Sequence, residues 1–156
     1  MDAWDTIIVG AGSAGCVLAA RLSEDPSRRV LLLETGPGHP IDERPDQLVH
    51  LSRPIAWPYD WDDTVANATG RSMYYGRGRG LGGSSATNGS VAMRPEPPDF
   101  DSWPSPWSWE AVLPALNAIE HDLDFADRPW HGDAGPVPIV RWGEDMWSPL
   151  QLGFVA

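Results

Sequence analysis

The sequence contains only one cysteine and no lysine among its 156 residues. A single cysteine cannot form an intramolecular disulfide, and the four scattered histidines do not supply the spacing of a zinc site. We therefore expect a reducing, cytoplasmic environment and no metal site. Because 22 acidic residues outnumber 11 arginines, the net charge is −11. A protein of this charge is a poor partner for a phosphate backbone, so we expect no nucleic-acid partner.

Long apolar segments are also missing. No run approaches the roughly 18 apolar residues that a membrane-spanning helix requires, and the first five residues lack the basic and apolar regions of a secretory signal. We expect no membrane span. Glycine and proline are abundant, with 16 residues of each, which predicts many turns and loops. A hydrophobic fraction of 42% nevertheless indicates a folded chain of about one domain.

The first interpretable region covers residues 5–34. A short β-branched run at residues 6–9 is typical of a strand, and it ends at a glycine-rich turn over residues 10–15. Good helix formers follow at residues 16–22, and then a continuous apolar run, VLLL, that is typical of a strand buried on both faces. We predict an α/β fold class that begins with one right-handed βαβ unit.

The turn carries a GxGxxG motif at Gly10, Gly12 and Gly15. In a dinucleotide-binding turn these glycines allow the sharp turn, the approach of a pyrophosphate and the close packing of helix on strand. Unpaired amides at the helix N-terminus favour an anion there. Glu34 closes the second strand, where an acid binds ribose hydroxyls and repels a 2′-phosphate. The alternative is an ordinary βα turn with a solvated Glu34.

The rest of the chain indicates which dinucleotide is bound, FAD or NAD. An NAD-linked dehydrogenase continues with further βα repeats, whereas residues 35–73 lack periodicity and predict a long ordered loop. Residues 74–94 then form a second glycine-rich motif, whose small residues and backbone amides suit a second phosphate or ring contact.

We also predict a helix over about residues 108–123, with Ser108 as N-cap and a kink or restart at Pro114. Only short strands and turns are expected in residues 127–156.

At these residues the chain resembles the glucose–methanol–choline (GMC) family of FAD-dependent oxidoreductases. The segments GAGSAGCVLAARLSEDP and VLLLETG are similar to the FAD-binding start of that family, and RGRGLGGSSATNGSVAMRP with DFDSW is similar to its first signature. The similarity continues through WSWEAVLPALNAIE and HGDAGPVPI. It implies that residues 1–156 are the N-terminal portion of a Rossmann-like FAD-binding domain with long loops, an incomplete GMC fold from which the substrate domain is absent.

The resemblance also assigns residues to the two halves of FAD. It assigns to the ADP half Gly10, Gly12, Ser13, Ala14, Gly15, Glu34 and Thr35. It assigns to the pyrophosphate and isoalloxazine side Leu81, Gly82, Gly83, Ser85, Asn88 and Val91. Trp61 is similar to a family tryptophan close to the flavin, and the alternative for it is a packing aromatic. Arg77 and Arg79 either help to neutralise the pyrophosphate or are solvated.

Thr87 marks a departure from the family pattern. The family usually has an aliphatic residue at this position, and some relatives have a histidine that bonds covalently to the flavin. Threonine cannot form that bond, so the resemblance implies non-covalent, dissociable FAD.

The implied activity is oxidation of a CH–OH group of a small alcohol or choline-like substrate, with hydride transfer to flavin N5. The family base is a histidine near the C-terminus of complete members, beyond residue 156, so no catalytic residue is assigned here. His39, His50, His121 and His131 are expected to be surface or packing residues. Three alternatives stay open: a catalytically inactive truncated FAD-binding remnant, an NAD-linked dehydrogenase fragment, and a carbohydrate-binding module suggested by the nine tryptophans.

Overall fold

The computed structural model describes residues 3–49 and 58–155. The chain forms two compact units, Met1–Val91 and Ala92–Ala156. Each unit has its own strands. Within the described ranges, no helix combines the length and the apolar character needed to cross a membrane.

The first unit opens with the predicted strand, helix and strand: β1 at Thr6–Val9, α1 at Ser13–Leu22 and β2 at Val30–Leu33. The two strands are parallel, with Thr6 opposite Val30 and Val9 opposite Leu33. The βαβ prediction for residues 5–34 is therefore confirmed. The helix begins three residues earlier than the periodicity indicated, because Gly12 already has the extended backbone of an N-cap.

The sheet is less buried than the sequence predicted. Ile8 is buried, but 83% of Val9 and 46% of Leu33 remain exposed. The prediction that β2 is buried on both faces was wrong, since its residues are half-buried or exposed. Since β1 and β2 form a two-stranded sheet among the described residues, a run of apolar side chains is covered only where α1 and neighbouring loops reach it.

Residues 35–73 contain more regular structure than the predicted loop. A single helical turn, α2, covers Asp46–Val49, and an antiparallel pair consists of β3 at Thr64–Ala66 and β4 at Ser72–Tyr74. Asn67 organises the hairpin turn, because its Oδ1 accepts hydrogen bonds from the amides of Thr69 and Arg71. The three-residue strands were too short to show a period in the sequence.

In the second unit α3 covers Trp109–Ile119, and its N-cap is Ser108, as predicted, with Oγ accepting from the amide of Ala111 at 3.4 Å. The helix passes through Pro114 without a restart. It ends at residue 119 rather than near 123, because Glu120–Asp122 form β5, which pairs in parallel with β6 at Val137–Ile139. The tail also differs from the prediction, since Pro149–Val155 form a further helix, α4.

A group of charged side chains joins the elements of the second unit. Asp122 is fully buried, and the Arg141 guanidinium donates to its two carboxylate oxygens at 2.6 and 2.8 Å. Arg94 forms an ion pair with Glu120. Nδ1 of His131 lies 2.6 Å from Glu120 and 2.8 Å from Asp122. This network fixes β5 against the segments that surround it.

Candidate cofactor site

The turn between β1 and α1 has the geometry of an anion-binding turn. Gly10 has a φ of +93°, a conformation that favours glycine. A Cβ on Gly15 would lie 1.9 Å from the carbonyl oxygen of Gly10, so only glycine allows the helix to pack this closely on the turn. A Cβ on Gly12 would meet no atom within 4 Å. Gly12 therefore leaves open space in front of the N-terminus of α1, where no side chain caps the free amides.

Glu34 holds the same turn from the end of β2. Its Oε2 accepts a hydrogen bond of 2.8 Å from the amide of Ala11, and its Oε1 accepts one of 2.9 Å from the amide of Gly36. Burial opposes ionisation of this carboxyl, but the amides of Gly36 and Ala11 outweigh burial and hold its pKa below the usual range. The side chain is thus a fixed carboxylate at the end of the strand.

The second glycine motif packs directly on the first. Gly82 and Gly83 both have positive φ, at 92° and 53°, and they lead into a short 3-10 helix at Gly83–Ala86. The amide of Gly82 donates to the carbonyl oxygen of Ala11 at 2.8 Å. A Cβ on Gly83 would lie 2.9 Å from Cα of Gly12. Two segments about 70 residues apart in the chain therefore form one continuous glycine-lined surface.

A cavity of about 900 Å³ opens at this junction. Its lining includes nine of the site residues predicted from the sequence, from both glycine motifs and from the segment of Trp61. These nine are Gly10, Gly12, Ser13, Ala14, Gly15, Glu34, Thr35, Trp61 and Gly83. Ile8, Val9, Leu18 and Leu33 add an apolar wall. We call this space the first cavity.

Four predicted residues line a second cavity of about 530 Å³ that shares Gly83 with the first. They are Leu81, Gly82, Gly83 and Ser85, and Thr87 lies beside them. Asn88 and Val91 line neither cavity. The structure thus brings the ADP-side residues together more completely than those on the isoalloxazine side.

Besides the apolar wall, three residues of the segment 74–94 line the first cavity without having been among the predicted site residues. Gly78 and Ser84 belong to the second glycine motif, and the Ser84 Oγ accepts a hydrogen bond from the amide of Gly78 at 3.0 Å. For Arg77 the sequence leaves two roles open, neutralising the pyrophosphate or lying in solvent. Its guanidinium lies 3.6 Å from the centroid of the Tyr75 ring and donates to the carbonyl oxygen of Gly76. The run RGRGLGGSS was the available signal for all three.

None of the three described histidines lines the first cavity. His39 forms a hydrogen bond of 2.9 Å with Tyr59 and lines the second cavity. His121 belongs to β5, and His131 belongs to the charged network of the second unit. His50 lies outside the described residues. Among the described residues, the first cavity therefore has no imidazole in its lining.

Glu120, Asp122 and His131 place possible metal-ligand atoms within 4.8 Å of one another, although the sequence gave no metal spacing. Their carboxylates already pair with Arg94 and Arg141. With an arginine on each carboxylate, the arrangement is that of an ion-pair network.

Comparison with known proteins agrees with this geometry. The family described as GMC oxidoreductase matches residues 4–146. The chain is 44% identical over 170 residues to pyridoxine 4-oxidase of Microbacterium luteolum, which covers 99% of this chain and 32% of that protein. It is 42% identical over 148 residues to the oxygen-dependent choline dehydrogenase of Xanthomonas axonopodis pv. citri, with 88% of this chain and 26% of that protein covered.

A solved structure shows the same fold. The crystal structure of pyridoxine 4-oxidase from Mesorbium loti superposes with a TM-score of 0.78 at 40% identity, over 98% of this chain and 31% of that one. The chain spans about a third of the length of curated relatives that it matches. The predicted α/β, Rossmann-like fold class is confirmed. By sequence and by structure, the chain belongs to the GMC oxidoreductase family, whose N-terminal FAD-binding region it represents.

Proposed function

We propose that this chain binds FAD non-covalently, with the ADP half in the first cavity and the flavin toward the second glycine motif. The observation that carries the proposal is the contact between Gly12 and Gly83, where a Cβ on Gly83 would lie 2.9 Å from Cα of Gly12. Both motifs border the first cavity there. A diphosphate that bridges two groups needs a surface of this kind, free of side chains and rich in amides.

The ADP half fits the residues around β1 and β2. The free amides at the start of α1 would receive the pyrophosphate. Glu34 would accept hydrogen bonds from ribose hydroxyls at the end of β2, where the amides of Ala11 and Gly36 hold its carboxylate. Val9, Leu18 and Leu33 provide an apolar surface for the adenine. Arg77 would offset part of the diphosphate charge in a chain of net charge −11.

The flavin side rests on the second motif. Leu81, Gly82, Ser85, Asn88 and Val91 would flank the isoalloxazine and the adjoining pyrophosphate, with the Trp61 ring nearby. Thr87 has no group that forms a carbon–nitrogen bond with a flavin methyl, which supports a dissociable cofactor.

A full-length protein that contains this FAD-binding region would oxidise a CH–OH group of a small alcohol. FAD, when bound, supplies the acceptor for the two electrons that leave the substrate. The described residues of this chain would bind and orient that cofactor and exclude water from its diphosphate. The names pyridoxine 4-oxidase and choline dehydrogenase among its relatives support a small polar alcohol as the substrate class.

An NAD-linked function receives less support. Where such a fold requires another parallel strand after β2, this chain has the antiparallel hairpin of β3 and β4.

A cytoplasmic location is also part of the proposal. It is supported by the single cysteine, Cys16, whose thiol donates to the carbonyl oxygen of Ala11 instead of forming a disulfide.

The test is a comparison of four ligands with the purified full chain. We expect FAD to quench protein fluorescence saturably, and FMN, NAD⁺ and NADP⁺ to bind at least about tenfold more weakly, since FMN lacks the ADP half and NADP⁺ meets Glu34. Acid precipitation of the complex should leave all flavin in the supernatant. Equal affinity for FAD and FMN would overturn the assignment of the first cavity, and flavin in the pellet would overturn non-covalent binding.

A further inference from the structure

Asn88 and Gly89 form the single Asn–Gly pair of the sequence. Both residues are exposed, in the loop that follows the 3-10 helix Gly83–Ala86. An asparagine side chain is attacked by the backbone nitrogen of the next residue most readily when that residue is glycine, because glycine has no Cβ to hinder the approach and has the greatest backbone freedom.

The local geometry favours this attack. The Asn88 Oδ1 accepts a hydrogen bond of 2.9 Å from the amide of Ser90, which draws electron density from Cγ and makes it more electrophilic. Within the described ranges no hydrogen bond holds the Asn88 Nδ2, the group that must leave. A Cβ on Gly89 would meet no atom within 4 Å, so the space beside the attacking nitrogen is open.

The other two asparagines provide internal controls. Asn67 precedes Ala68, and its Oδ1 accepts three hydrogen bonds from Thr69 and Arg71 in the hairpin turn. Asn117 precedes another alanine inside α3, and its side chain bonds to Arg94 and to the carbonyl oxygen of Pro129. In both, the following residue has a Cβ that hinders the attack, and the asparagine side chain makes more hydrogen bonds than that of Asn88.

We propose that Asn88 is a site of spontaneous deamidation. The Gly89 nitrogen forms a bond to Asn88 Cγ and loses its proton, the Cγ–Nδ2 bond breaks, and Nδ2 leaves as ammonia. The product is a five-membered succinimide. Water then opens the ring at either carbonyl to give aspartate or isoaspartate at position 88. One water is consumed and one ammonia is released, with no change of oxidation state.

The modification would act on cofactor binding, and this step rests on the proposed function. It replaces a neutral amide with a carboxylate on the side where the pyrophosphate and isoalloxazine are proposed to lie. Repulsion between two anions weakens FAD binding, and bound FAD covers the loop and slows the reaction. The site would therefore limit the lifetime of the cofactor-free chain.

The experiment follows the three asparagines in the same sample. The full chain is incubated in mildly alkaline buffer with and without saturating FAD, and tandem mass spectrometry measures deamidation at each position. We expect Asn88 to react about tenfold faster than Asn67 and Asn117, and Gly89→Ala to slow it about tenfold. Gly89 has no positive φ and an open Cβ position, so this variant should melt like the parent chain. Equal rates at the three asparagines, or an unchanged rate in Gly89→Ala, overturn the deamidation site.

The effect on the cofactor has its own measurement. Asn88→Asp should raise the Kd for FAD about fivefold, whereas Asn88→Gln, which keeps a neutral amide, should raise it less. If FAD quenches fluorescence but neither protects Asn88 nor discriminates between these variants, the link to the cofactor site is wrong while the modification stands. If FAD does not bind the parent chain at all, the proposed function fails and the deamidation rates are unaffected.

Discussion

The amide of Ala11 donates a 2.8 Å hydrogen bond to Glu34, and the carbonyl oxygen of the same residue accepts one of 2.8 Å from the amide of Gly82. Ala11 is 1% exposed, so both bonds lie in the interior of the turn. The backbone amide of Ala11 thus links the first glycine motif to the end of β2, and its carbonyl oxygen links the same motif to the second one. The surface proposed for the diphosphate is assembled by the chain itself before a ligand arrives.

The first prediction concerns the carboxylate at the end of β2. In Glu34→Gln only one side-chain atom can accept a hydrogen bond, and the amide NH₂ faces a backbone N–H that needs an acceptor. Loss of a hydrogen bond to a charged group costs about 1.5–3 kcal/mol, so we expect the Kd for FAD to rise about tenfold or more. Fluorescence titration measures it. Glu24→Gln is the matched control, because Glu24 pairs with Arg21 on the exposed surface. Unchanged affinity in Glu34→Gln would contradict the role given to Glu34.

The second prediction separates two glycines of the same motif. Alanine at position 15 would normally favour a helix by about 1 kcal/mol, but here its Cβ would lie 1.9 Å from the Gly10 oxygen. The clash dominates, and Gly15→Ala should lower the free energy of unfolding by about 3 kcal/mol in urea denaturation. In Gly12→Ala the new Cβ meets no atom within 4 Å, so the free energy of unfolding should fall by about 1 kcal/mol at most. The same Cβ should weaken FAD binding, because it fills part of the first cavity. A stable Gly15→Ala chain would show that the turn packs differently.

Local chemistry explains which parts of the fold were predictable from the sequence. The TIIV strand, the glycine turn and the VLLL strand each satisfy a strong local rule, and their βαβ arrangement is confirmed. Ser108 was likewise predictable, because an N-cap is decided by one side chain and the next amides. The hairpin of β3 and β4 was missed, since its strands are three residues long and depend on pairing with each other. The end of α3 at residue 119 depends on the distant strand β6, which no local pattern reveals.

In the candidate site, too, some features follow from local sequence and others only from tertiary contacts. The positions of Gly10, Gly12 and Gly15 follow from a spacing rule. The amide bonds of Glu34 to Ala11 and Gly36 do not, because they depend on how β2 approaches the turn. A motif lists the residues that meet a ligand, whereas the interactions that hold those residues in place come from tertiary contacts.

The third prediction concerns Arg77 in the first cavity. Its guanidinium is held over the Tyr75 ring and by the Gly76 carbonyl oxygen, so little entropy is lost when it contacts a diphosphate. Arg77→Gln should raise the Kd for FAD about fivefold at low salt, with a smaller effect at high salt where the charge is screened. Titrations at several salt concentrations measure both. Arg71→Gln, an exposed arginine that lines neither cavity, should leave Kd unchanged. An equal effect of the two variants would mean that only net charge matters.

The last prediction concerns acid unfolding of the second unit. Hydrogen bonds from Arg141 hold the pKa of Asp122 well below its usual 3.8, and the amides of Phe125 and Asp124 act in the same direction against the opposing effect of burial. A carboxyl whose pKa is lower in the folded chain than in the unfolded chain stabilises the fold above the unfolded value. That stabilisation is lost as the pH falls below about 3.8 toward the folded pKa.

Asp122→Asn should therefore melt about 4 °C or more below the parent chain at neutral pH, because the Arg141 guanidinium loses its charged acceptor at the buried position 122. The difference between the two chains should shrink as the pH is lowered from 4 to 2, since protonation removes the same charge from the parent. Thermal melts followed by circular dichroism across this range provide the measurement. Asp127→Asn is the control, because that carboxylate is exposed and lies 3.7 Å from Arg128. A difference that stays constant with pH would mean that Asp122 stabilises the unit by its shape and hydrogen bonds and that its charge contributes nothing.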